Sequence, residues 1–154
     1  MSAIGEVSHS RRWPRVVLWG VAYFVIGIGT AALARGAEAG QMQKVWRLAA
    51  WLLSGVAFAA HIWYERYRAG GPPVKTALPN ALAVALGGFL LAAAATVHSL
   101  SAGVGRLGAY AVALVAWPVL VGVPAFLVAL AAAALLGRAS RARAQSQSPP
   151  RLGG

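Results

Sequence analysis

The chain has 154 residues, of which 59% are hydrophobic and 11% charged; soluble domains carry about a quarter charged residues, so a soluble globular fold is excluded. Its 14 Lys and Arg against three acids give a formal net charge of +11, but these cations sit at the ends of apolar stretches, not in a basic stripe interleaved with aromatics. That argues against a nucleic-acid partner, and the lack of Cys rules out disulfides and thiolate metal sites.

Residues 1–15 form a basic N-terminal segment with Pro14 just before the first apolar run. That run, about 16–34, carries no formal charge between Arg15 and Arg35. About 20 apolar residues at 1.5 Å each cross a hydrocarbon core roughly 30 Å thick, so the run is long enough to span. Arg11, Arg12 and Arg15 followed by an apolar run and Ala32-Leu33-Ala34 also fit a cleaved signal sequence. The run exceeds the roughly 7–15 residues of a signal core, which favours a retained span.

A polar connection through Glu38 and Lys44 leads to span two, about 46–67, which Gly70-Gly71-Pro72-Pro73 then breaks. Span three, about 81–103, is predicted to start at Pro79 and Asn80. A glycine-rich turn over 103–108 precedes span four, about 110–137. The tail over 138–154, rich in Arg, Ser, Gln and Pro, reads as disordered and basic. Backbone polar groups in hydrocarbon must be paired internally, so each run should be helical. The predicted fold is all-α, an integral membrane bundle of four antiparallel transmembrane helices over 16–137.

Ten of the 14 Lys and Arg fall on one side of this layout: Arg11, Arg12, Arg15, Arg66, Arg68, Lys75, Arg138, Arg141, Arg143 and Arg151. By the positive-inside rule both termini should be cytoplasmic. Trp13, Trp63, Tyr64 and Tyr67 lie at the same proposed boundary, and Trp46 and Tyr110 at the other, as interface-seeking aromatics should. The Arg-, Ala- and Gly-rich composition suits a bacterial plasma membrane protein from a GC-rich genome.

Polar residues inside spans are the natural candidates for function. In span two Arg47, Ser54, His61 and Arg68 recur every seven residues, with Glu65 four after His61. A seven-residue repeat drifts only about 20° per repeat on a helix, so these residues form one stripe. Ser54, His61, Glu65 and Arg68, with His98 of span three, make a candidate polar intramembrane face. Glu65 is within reach of His61 at i,i+4 and of Arg68 at i,i+3. The plainer reading is a bundle-facing stripe whose charges reach the headgroups. His61 and His98 each lie about six residues from the middle of their spans, towards opposite sides, and so differ in depth by roughly 18 Å. They are not expected to share a metal or haem iron. Gly20, Gly27, Gly55, Gly87 and Gly88 allow close helix approach. Pro118 and Pro124 are candidate kinks in span four, each removing a backbone donor.

No nucleophile–base constellation is visible, and neither catalysis nor a cofactor is expected. Four spans in so short a chain resemble the small multidrug resistance family, which relies on a membrane-embedded Glu in its first helix. The first span here has no ionisable side chain except Tyr23, so the resemblance stops at span number. The sequence points to a small polytopic membrane protein that works by self-association or as an accessory subunit of a membrane complex, its expected partners being the lipid bilayer, itself or other membrane subunits. The alternatives are a small oligomeric transporter and a redox subunit holding haem or quinone.

Overall fold

The computed structural model describes residues 13–36, 40–69, 72–103 and 107–146. All regular structure among them is helical: α1 Trp13–Gly36, α2 Gln41–Ala69, α3 Pro73–Ser101 and α4 Leu107–Ser146. All four are long and apolar enough to cross a membrane. The shortest, α1, has 24 residues, which at 1.5 Å per residue gives roughly 36 Å against a hydrocarbon core of roughly 30 Å.

Two boundaries differ from those the sequence predicts. Helix α3 begins at Pro73, upstream of the expected start at Pro79 and Asn80, with Pro72 as its N-cap. Proline is well suited to the first helical position, where its missing N–H would have no partner in any case. Pro79 therefore lies inside the helix, and the Asn80 side chain donates to the Thr76 carbonyl at 2.7 Å. That bond adds a side-chain tie to the turn in which Pro79 supplies no donor. Helix α4 runs through Pro118 and Pro124 and continues to Ser146, so the disorder expected from residue 138 does not begin there. Arg, Ala and Gln are good helix formers. Ser140 and Ser146 also bond back to the carbonyls of Leu136 and Ala142. Residues 147–154 and the N-terminal segment 1–12 lie outside the described residues.

At the other end of α3, Gly103 takes φ +67°, and the N–H groups of Ala102 and Gly103 bond the carbonyls of His98 and Leu100. This is the left-handed glycine stop that caps carbonyls of a last turn.

Small residues set the packing. A Cβ on Gly20 would lie 2.7 Å from the Leu86 side chain, and one on Gly27 would lie 2.7 Å from Leu91. At Gly87 it would meet Tyr23 Cβ at 2.7 Å and the Gly20 carbonyl at 3.1 Å. Helices α1 and α3 are thus locked together along these notches. Gly88 receives Val121, and Gly122, which the sequence reading passed over, lies against Ala85. The α3–α4 pair is the most extensive, α2–α4 is slight and α1–α4 slighter still. Gly55 is not a close-packing residue, because a Cβ there would meet nothing within 4 Å. Only 11% of the apolar window of α2 is buried, half the 22% of the other three helices. The bundle is consequently open between α2 and α4.

Candidate functional site

Four buried polar residues of the spans, His61, Glu65, Thr76 and Asn80, collect at the end of the bundle where α2 finishes and α3 begins. Helix α1 contributes Arg15, Trp19 and Tyr23, and α2 contributes His61 and Glu65. Both sets step by four residues, which puts each on one helical face. Numbers that rise on α1 meet numbers that fall on α2: Arg15 pairs with Glu65 at 3.9 Å, and Tyr23 meets His61.

His61 is 1% exposed. Its ring stacks on Trp19 with centroids 4.5 Å apart and planes at 13°. The Tyr23 hydroxyl lies 3.4 Å from Nδ1. Glu65 is also buried, while the Arg15 side chain remains 31% exposed. Among the described residues the carboxylate pairs across to α1, not along its own helix to His61 or Arg68. Arg68 is exposed and lies over the Tyr64 ring at 5.5 Å.

On α3, Thr76 and Asn80 are fully buried at the same end, where Ile62, Ala77 and Ala129 form one apolar cluster. Among the described residues three buried polar atoms have no hydrogen-bond partner: His61 Nε2, Thr76 Oγ1 and Asn80 Oδ1. Each is costly to bury unmet. The hydroxyls of Thr30 and Thr96 are satisfied locally. Thr30 donates to the Ile26 carbonyl at 2.7 Å and Thr96 to that of Ala92 at 2.8 Å.

The predicted polar stripe is therefore divided. His61 and Glu65 are brought together with α1. Ser54 is half-buried in the opening between α2 and α4, and Arg68 points outward. His98 is exposed near the far end of α3. Leu91 sits against Gly27 and His98 lies seven residues further on, whereas His61 sits at the level of Trp19 and Tyr23. The two histidines are therefore separated by roughly 20 Å along the bundle. Among the described residues no group of three or more His, Cys, Asp or Glu is arranged to hold a metal. Sequence reading missed Trp19, Tyr23, Thr76 and Asn80. The four-residue ladder Arg15-Trp19-Tyr23, complementary to His61-Glu65, was the available signal.

The second feature is the opening itself, an apolar cavity of about 610 Å³ lined by Trp51, Ser54, Gly88, Trp117 and Pro124 among others. A second cavity of about 470 Å³ adjoins it, sharing Gly55, Phe58 and Val128 and extending past Ile62 to Trp63 and Leu136. Together they make a trench between α2 and α4 that runs towards the polar end.

The geometry makes a definite prediction for His61. His61→Ala removes the ring from between Trp19 and Tyr23 and should cost about 2–4 kcal/mol, as for other large-to-small changes in packed sites. The double variant His61→Phe/Tyr23→Phe keeps the stack and removes both the long hydrogen bond and the unmet Nε2. It should lie within about 1 kcal/mol of the wild type. Denaturation in mild detergent titrated with SDS would check both, and a double variant as unstable as His61→Ala would contradict the packing role.

Searches for a matching family model, a matching curated protein and a matching solved structure each found none.

Proposed function

We propose that the protein is a non-catalytic integral membrane protein that acts by association within the bilayer, with itself or as an accessory subunit of a larger complex. The observation that carries this reading is the use made of the ionisable groups. Glu65 is tied to Arg15 and His61 to Tyr23 and Trp19, so they join α1 to α2. Buried ionisable groups in membranes are normally paired in this way, and their pairing here gives them structural work. The outward surface of the helices is apolar, with Leu52, Val56, Val115 and Leu127 all exposed. Purification in mild detergent followed by native mass spectrometry tests the reading. A homo-oligomer or a stoichiometric membrane partner is expected, and a solitary monomer at all detergent concentrations overturns it.

Transport is the second reading, favoured by the three unmet polar atoms at one end of the bundle. A polar interior that opens to solute would use them. Counterflow in proteoliposomes that is lost in Asn80→Leu would support it over a purely structural role.

In either reading the helices run up and down in an antiparallel bundle with both termini cytoplasmic, in a bacterial plasma membrane. The meeting of Arg15 with Glu65 and of Gly122 with Ala85 supports that order. Gln41 and Lys75 are exposed and so is Ser146, whereas Thr76 is fully buried and unsuited to labelling. With no native Cys, Gln41→Cys should react with an impermeant thiol reagent in intact cells. Lys75→Cys and Ser146→Cys should react only after permeabilisation. The reverse pattern would invert the topology.

A further inference from the structure

We propose that the junction of α1, α2 and α3 is a binding site for internal water, held by His61 Nε2, Asn80 Oδ1 and Thr76 Oγ1. The three side chains are 1%, 0% and 0% exposed, and among the described residues these atoms have no hydrogen-bond partner. Packing brings them to one place. Thr76, Asn80, Ala83 and Gly87 follow one another along α3 at steps of three or four residues, and so share a face. On that face Ala83 clusters with Val16 and Tyr23, and Gly87 lies against Tyr23 and Gly20. It therefore looks towards the stretch of α1 on which His61 stacks. Depth along the bundle agrees. Trp19, under the His61 ring, adjoins Gly20, which meets Leu86 on α3. Ile62, next to His61 in the chain, clusters with Ala77. Asn80 falls between those two levels.

The pattern of donors and acceptors selects the ligand. The Thr76 carbonyl can only accept, so the Asn80 amide turns its nitrogen to it, at 2.7 Å, and presents Oδ1 as an acceptor on its other arm. Among the described residues the Tyr23 hydroxyl has one partner, His61 Nδ1 at 3.4 Å. With the hydroxyl donating to Nδ1, the proton of the neutral ring sits on Nε2, which becomes a donor. Thr76 Oγ1 can both donate and accept. This set suits a neutral ligand: a cation would face the Nε2–H, and an anion would face Oδ1. Water gives and takes equally, and a buried water makes about three bonds to groups otherwise unmet. Pro79 adds a reason for water at this turn. It supplies no N–H to the Lys75 carbonyl, and ordered water is among the groups that satisfy carbonyls freed by proline within a membrane. Water held here ties α2 to α3, which pack together less than α1 does with either. The inference goes beyond the association reading, and it gives these atoms a resident partner where the transport reading gives them a solute.

The test is magnetic resonance on the full-length protein with isotopically labelled histidine in lipid bilayers, the His61 signals being those that vanish in His61→Phe. Nε2 should carry the proton and Nδ1 should not, and the Nε2–H should show a contact with bound water. Asn80→Leu should lose that contact and keep the tautomer, because Tyr23 still donates to Nδ1. Thr76→Val removes one bond with little change of shape and should weaken the contact, which keeps the test decisive where the leucine variant does not fold. A proton on Nδ1, or on both nitrogens, overturns the assignment of a neutral ligand. No water contact in the wild type overturns the site, and a contact unchanged in the folded variants overturns its partners. Ammonium or chloride that displaces the water saturably makes the ligand an ion and also overturns the proposal. A water contact in protein that shows no counterflow upholds the site while removing the transport reading, so the two fail separately.

Discussion

Gly87→Val is expected to destabilise the protein by about 2–3 kcal/mol, near the upper end of the usual overpacking cost, while Gly55→Ala leaves stability unchanged. The contrast follows from what each new Cβ meets. At Gly87 the obstacles are Tyr23 Cβ at 2.7 Å and the carbonyl oxygen of Gly20 at 3.1 Å. One is the root of a side chain and the other is backbone, so neither can swing aside, and α1 must move as a body. Tyr23 also holds the 3.4 Å contact with His61, so the displacement reaches the α1–α2 joint. At Gly20 every near obstacle belongs to one side chain, Leu86, whose Cδ2, Cγ and Cβ would lie at 2.7, 2.9 and 3.1 Å, and none is backbone. A leucine end can change rotamer, and Gly20→Ala should therefore cost less than Gly87→Ala. At Gly55 nothing lies within 4 Å, and alanine is the better helix former. Denaturation of the four variants in mild detergent would rank them. Equal costs at positions 20 and 87 would mean that α1 and α3 do not interlock through these notches.

How far the sequence disclosed this structure depended on the range of the interactions involved. The four spans are visible because hydrocarbon demands long uncharged runs, and that demand is met locally in sequence. The start of α3 was missed because proline signals a helix start at more than one position, and Pro79-Asn80 lay closer to the apolar run than Pro72-Pro73. The helix nonetheless runs on from Pro73 through that segment, with the Asn80 side chain bonded to the Thr76 carbonyl. The extension of α4 to Ser146 is not legible in the sequence because polarity marks the membrane boundary and not the end of a helix. Burial of His61 was legible from its place on a stripe facing the bundle. Its partners were not, because Tyr23 lies 38 residues away and helix pairing is not encoded in any one span. Glu65 illustrates the same limit. Local spacing offered it His61 and Arg68, and the fold gave it Arg15. The trench was invisible for a related reason: it arises from the failure of α2 and α4 to close, a property of the whole bundle.

The Arg15–Glu65 pair should show the asymmetry of a partly buried ion pair. Arg15→Leu is expected to destabilise by about 2–3 kcal/mol, and the double variant Arg15→Leu/Glu65→Leu by less than about 1 kcal/mol. Glu65 is 7% exposed, so removing the arginine leaves a desolvated carboxylate with no compensating cation. Fully buried pairs lose about 3–5 kcal/mol when broken in this way. The smaller figure here allows for the 31% exposure of Arg15 and the 3.9 Å separation, which let water share the charge. Replacing both partners removes the desolvation cost together with the attraction, and two leucines restore apolar contact between α1 and α2. Arg66 and Arg68 lie on the same helix as Glu65, but among the described residues Glu65 pairs with neither of them, so neither should rescue the single variant. A double-mutant cycle measured by SDS denaturation would give the coupling directly. Additive losses in the double variant would mean that the two side chains do not interact in the folded protein. The joint between α1 and α2 would then rest on Trp19, Tyr23 and His61 alone.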